Sequence, residues 1–195
     1  MLRLILASLC LTLGAAETKP VGGFELRSPV IAPGGAIPRE YTGDGAGTSP
    51  PLEWSGAPAG TKCFALVMHH FPHEGEAARW YWVVWNIPAD VKSLAKGAKG
   101  VGTCGTNCVN RDLGYAPPHS KGPGVKKYTL TLYALSAAPD LKVPASQVNR
   151  DVLLAAIKDR TLASAELSFT YDRTDLVGKD SGAGDRPAPA PAPRR

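Results

Sequence analysis

The chain has 195 residues, 44% of them hydrophobic and 20% charged, with a formal net charge of +5. That length buries one sizeable core, and the balance is that of a folded domain, not of a disordered or fibrous chain. The basic residues are scattered with no dense run, which argues against a nucleic-acid-binding surface. Glycine (21) and proline (18) make up about a fifth of the chain, above the usual ~12%, and that excess of turn formers points to a β-rich fold.

The first sixteen residues read as an export signal. Met1-Leu2-Arg3 is a short positive start, Leu4 to Leu13 is apolar, and Gly14-Ala15-Ala16 supplies small residues for cleavage before Glu17. An uncleaved anchor is the alternative, but ten apolar residues are short for a bilayer span. The expected organisation is a signal at 1–16, a lead at 17–23, one domain at 24–173, and a Pro/Ala-rich tail at 174–195 with nothing to bury. The mature protein is expected to be periplasmic or secreted, without an integral membrane span. Cys10 leaves with the signal, and Cys63, Cys104 and Cys108 remain. In an oxidising compartment Cys104-Gly-Thr-Asn-Cys108 is expected to close as a disulfide, with Cys63 a buried thiol.

Along the domain, Phe24 to Ser28 alternates as a first strand. The glycines of Tyr41-Thr-Gly-Asp-Gly45 suit positive φ, and Asp44 reads as ordinary turn chemistry. Ser49-Pro-Pro-Leu-Glu-Trp54 is a rigid loop entering a strand. Cys63 to Met68 is a buried strand. Val91 to Asn110 shows no periodicity. Tyr128, Leu130, Leu132 and Ala134 alternate with Thr129, Thr131 and Tyr133, as a half-buried strand does. Ser146 to Ala163 is the helix candidate, with Ser146 as cap and an apolar stripe of Val148, Val152, Leu153, Ala156 and Ile157. Leu167, Phe169 and Tyr171 alternate as the last strand.

The most informative stretch is Arg79-Trp-Tyr-Trp-Val-Val-Trp-Asn-Ile-Pro-Ala89. Aromatic and β-branched residues run from Trp80 to Ile87 and stop at Pro88, the pattern of a strand covered on both faces. It also belongs to an ordered set: Pro38-x-x-Tyr41-Thr-x-Asp-Gly45, Ser49-Pro-Pro-Leu-x-Trp54, Gly60-Thr-Lys62, Trp82 to Ala89, Gly114-Tyr115, and Tyr128 before Leu132-Tyr-Ala-Leu135. Together these motifs, spread over about Phe24 to Arg173, resemble the phosphatidylethanolamine-binding protein family, in its bacterial Raf-kinase-inhibitor-like branch. The resemblance implies a mostly β fold: an antiparallel β-sandwich with a C-terminal helix and short peripheral helices. It also implies a small pocket for phosphate-like anions or phospholipid headgroups.

At the pocket this sequence departs from the family pattern. The family's Asp-Pro-Asp signature is replaced by His69-His70-Phe71-Pro72-His73, its His-Trp pair by Tyr81-Trp82, and its His-Arg-Tyr triplet by Lys126-Lys127-Tyr128. The expected ligand-binding set is therefore His70, Tyr81, Lys126 and Tyr128, rimmed by Pro117 and Pro118. A carboxylate lost and a lysine gained make the site more cationic, and charged donors to phosphate are the strong kind. A decayed pocket is the bland alternative.

Other constellations carry less. His69 and His70 on one strand point to opposite faces; His70 with His73 and His119 leaves a copper or zinc site open across loops, but no metal is expected. No nucleophile elbow, metalloprotease helix or phosphate-cradling loop is present, so no catalytic residue and no cofactor are expected. A protein target, such as a protease or kinase inhibited by surface contact, is the runner-up to a small anionic ligand.

Overall fold

The computed structural model describes residues 23–120, 122 and 124–173; the expected signal, most of the lead and the tail lie outside them. Eight strands form two antiparallel sheets: β1 Glu25–Arg27, β2 Leu52–Ser55, β3 Cys63–His70, β4 Arg79–Pro88, β5 Ser93–Leu94, β6 Thr103–Cys104, β7 Lys126–Leu135 and β8 Thr161–Tyr171. The small sheet has the order β1-β2-β5 and the large one β6-β4-β3-β7-β8. The sandwich and its C-terminal helix are as the resemblance implied. All peptide bonds among the described residues are trans.

The aromatic run is β4, and β3 beside it lies at the middle of the large sheet. Both strands are buried on both faces, as uninterrupted apolar sequence requires. Phe64, Leu66, Met68, Trp82, Val84 and Ile87 join Leu130, Leu132 and Leu167 in a core shared with Leu26, Leu52 and Trp54 of the small sheet. On the opposite face Ala65, Val67, Val83 and Trp85 pack with Leu153 and Ile157 of the helix, α1. The alternation read in β7 holds, with Tyr128, Leu130, Leu132 and Ala134 all fully buried.

The helix is shorter than its apolar stripe suggests. Ala145–Gln147 forms only a 3-10 turn, Val148 is extended, and α1 runs over Arg150–Ile157. The cap is Asn149, whose Oδ1 accepts from the Val152 amide at 2.9 Å, and not Ser146. The Val148 carbonyl is taken by the Thr106 amide at 2.8 Å, so no helix can run through it. At the far end Thr161 to Ala163 belong to β8, paired with Leu135 and Ala134. Tertiary pairing overrides helical periodicity at both ends.

The Cys104 to Cys108 loop is also corrected. Cys63, Cys104 and Cys108 are free thiols. Cys104 pairs with Val84, whereas the Cys108 amide donates to the Trp80 carbonyl, so the segment lies extended along the outer edge of β4. Four strand residues separate the cysteines on the order of 12 Å, beyond the ~7 Å Cα limit for a disulfide. Cys63 is buried, as expected. The stretch from Val91 to Asn110, read as aperiodic, contains the two-residue strands β5 and β6, too short to show a period.

Candidate functional site

Strands β3, β4 and β7 change chemistry together at one end. Each turns apolar side chains into the core and, within a few residues, ends on ionisable side chains: His70 on β3, Arg79 and Tyr81 on β4, Lys126 and Tyr128 on β7. Register makes this convergence, because His70 lies opposite both Arg79 and Tyr128. A bulge sharpens it. Met68 pairs with Trp82 and His69 with Trp80, so Tyr81 is the extra residue of β4. The bulge turns Tyr81 onto the same face as Trp82 instead of the helix side, a common device beside binding sites.

These ends surround a cavity of about 570 Å³. Of the residues expected from sequence, His70, Tyr81, Lys126 and Pro117 line it. Tyr128 is fully buried and lies behind the wall, its ring stacked on His70 and edge-on to Tyr81, each at 5.0 Å. It is a floor for the site. Its hydroxyl makes no hydrogen bond of ordinary geometry, although Tyr81 is its neighbour, and burial pushes its pKa well up, with Tyr81 adding to the effect. Pro118 is also not in the lining; its carbonyl instead accepts from the Gly43 amide at 2.9 Å.

The sequence did not single out Arg79, the second permanent cation of the wall, or Val109 and Ser120, and it expected Cys108 in a disulfide instead of in the wall. His73 and His119, considered only as metal ligands, line the cavity with His70. Among the described residues no group of histidine, cysteine or carboxylate side chains is close enough to hold a metal ion. His69 does face the other side, over Phe71.

Electrostatics follow from this crowding. His70 Nδ1 lies 3.0 Å from the Lys127 carbonyl and donates to it, which leaves Nε2 without a proton while the ring is neutral. Burial holds the His70 pKa below its ordinary value; Lys126, Arg79 and His73 add to that, against the Lys127 bond. Burial likewise pushes the Cys108 thiol up, despite Arg79 and Arg111 nearby. Among the described residues, no carboxylate lines the cavity.

The wall on the His119 side is built by a residue that sequence reading dismissed. Asp44 is almost fully buried: its Oδ1 accepts from Arg173 Nε at 2.8 Å and lies 3.2 Å from His119 Nε2, and its Oδ2 accepts from the Tyr171 hydroxyl. Burial alone would raise its pKa, but Tyr171, Arg173 and His119 outweigh it and hold the carboxyl low. The neighbouring glycines are not there for positive φ, since neither Gly43 nor Gly45 adopts it. They are there for space. A Cβ on Gly43 would sit 2.5 Å from the His119 ring, and one on Gly45 would sit 2.1 Å from the Arg39 carbonyl oxygen.

A larger cavity of about 830 Å³ lies between residues 24–33 and β8. Its Glu25 and Arg27 pair with each other, and none of the clustered histidines reaches it. Size does not make it the site.

Comparison with known proteins agrees with this fold. The model of the phosphatidylethanolamine-binding protein family matches residues 27–172. The chain belongs to that family. The UPF0098 protein of Chlamydia pneumoniae is 32% identical over 158 residues, covering 77% of this chain and 100% of that protein. Two crystal structures share the fold. A phosphatidylethanolamine-binding protein homologue from Chlamydia trachomatis superposes with a TM-score of 0.70 at 29% identity, over 77% of this chain and 98% of that one. Escherichia coli YbcL gives 0.67 at 27% identity, over 76% and 98%.

Proposed function

We propose that this member of the family is an exported, non-catalytic binding protein whose pocket takes phosphate-like anions. The observation that carries the reading is the convergence of Arg79, Lys126 and three histidines on one cavity with no carboxylate in its described lining. Such a wall attracts a doubly charged oxyanion and offers it charge-assisted donors, roughly twice as strong as neutral ones. The binding-protein role, not a catalytic one, is supported by the side chains themselves. The one thiol in the wall is held protonated by burial, away from the thiolate that nucleophilic chemistry needs. Export is supported by the apolar start and the small residues at 14–16.

Calorimetric titration of the mature protein with inorganic phosphate, in a phosphate-free buffer at low salt, tests this reading. Saturable binding is expected. Lys126→Ala is expected to weaken it by more than about tenfold, the scale of one charged hydrogen bond at ~1.5–3 kcal/mol. An affinity unchanged by that substitution, or no heat at all, would sink the assignment.

A further inference from the structure

The composition of the pocket wall selects among phosphate esters. This step rests on the anion pocket proposed above. Arg79 and Lys126 are permanently charged, and His70, His73 and His119 stand with them around the cavity. An alkylammonium entering beside them would give up water for a set of like charges. It would also need a carboxylate to pair with, and the described lining has none. Glu74, Glu76 and Asp112 are exposed and outside the lining.

Asp44 is a carboxylate that touches a lining residue, His119, and it is sealed. Its side chain is 6% exposed, with Tyr171 and Arg173 behind it and His119 in front. The seal is built into the backbone. Gly43 lets the His119 ring lie directly on the chain, and the Gly43 amide bonds the Pro118 carbonyl next to that histidine. A carboxylate stands at the wall, but the cavity meets an imidazole instead.

The other lining surfaces are mostly carbon, with Cys108 and Ser120 as uncharged exceptions. Pro72, Pro117, Val109 and the Tyr81 ring border a volume of about 570 Å³, well beyond a bare phosphate. There is space for an uncharged organic group attached to the anion, and little for a second charge of either sign.

We propose that the cavity selects phosphomonoester dianions carrying an uncharged substituent and discriminates against the zwitterionic ethanolamine phosphate, with His119 acting as the specificity residue that screens Asp44. The phosphomonoester could be soluble or could be the headgroup of phosphatidic acid; the chemistry recognised is the same.

The experiment compares propyl phosphate with phosphoethanolamine, which have the same chain length and differ by a terminal methyl against an ammonium. At pH 7.5 propyl phosphate is expected to bind about tenfold or more tightly. Equal affinities, or a preference for phosphoethanolamine, would overturn the inference while leaving the anion pocket standing; no binding of either, together with none of inorganic phosphate, would remove both. In His119→Ala, which opens Asp44 to the cavity, the ratio is expected to fall below about threefold, and an unchanged ratio would refute the screening role. Co-sedimentation with vesicles identifies the source. Capture by phosphatidic acid vesicles, competed by propyl phosphate, assigns the lipid headgroup; propyl phosphate binding without vesicle capture assigns a soluble ester; equal capture by phosphatidylethanolamine vesicles contradicts the selection.

Discussion

The two ends of β3, β4 and β7 obey opposite rules. In the middle of the sandwich, Leu66, Val84 and Leu132 are almost wholly removed from water, inside a cluster of apolar side chains. A few residues along the same strands, His70, Arg79 and Lys126 crowd like-charged or chargeable groups around an open cavity. The first region is arranged for stability. The second gathers groups of like charge, which add nothing to the stability of the fold by meeting one another. The core fixes the register, and the register forces the polar ends to converge, so the stable region supplies the geometry that the polar one uses.

That contrast can be broken from either side. The largest effect is expected from the core: Leu132→Ala should cost ~2–5 kcal/mol of stability, the usual range for a fully buried leucine, as a lowered midpoint in urea. Phosphate affinity of the molecules still folded should not change. A lost affinity at native conditions would mean that the two regions are not separable. Lys126→Ala should do the reverse, with phosphate affinity lost and stability changed by no more than about 1 kcal/mol, the scale of a partly exposed charge.

Gly43→Ala sits between the regions. The added methyl meets the His119 ring at 2.5 Å, so the ring or the loop must move, at ~1–3 kcal/mol for overpacking. Weakened phosphate binding together with a modest drop in melting temperature is expected. A variant indistinguishable from the parent in both measurements would show that His119 is not held as described.

The smallest effect is in pH. Burial lowers the pKa of His69 and also, as noted, that of His70. The unfolded chain then binds more protons than the folded one, so the stability they carry is present above the ordinary histidine range near pH 6.5 and is lost as pH falls through it. Melts between pH 7.5 and 5 should show the decline, and His69→Gln should flatten it. Bound phosphate reverses the bias on His70, because an anion favours the imidazolium. Binding near neutral pH should therefore take up protons, seen as a dependence of the calorimetric heat on buffer ionisation enthalpy.

Much of this was written in the one-dimensional pattern. Strand β4 announced itself by Trp80 to Ile87, and β7 by strict alternation, because burial on two faces or on one leaves a period in the chain. Four of the six residues expected in the pocket, His70, Tyr81, Lys126 and Pro117, line the cavity. The errors have local causes. The apolar stripe from Val148 onward implied a longer helix, but the Val148 carbonyl belongs to Thr106, forty-two positions away. The short spacing of Cys104 and Cys108 implied a closed loop, but the outer edge of β4 pulls the segment straight. Asp44 looked like a turn residue because its partners Tyr171 and Arg173 lie 127 and 129 positions along the chain.

The sequence by itself determined the family, the sandwich and the cationic character of the pocket, since these depend on which residues are present and on periods that a strand imposes locally. Only the tertiary structure decided which groups share the cavity. Arg79 joins it through the pairing of β3 with β4, Tyr81 through a bulge, and His119 through its contact with Asp44, which Tyr171 and Arg173 hold from the end of β8. Each of those placements is a contact between distant segments, and the energy of such a contact resides in neither segment alone.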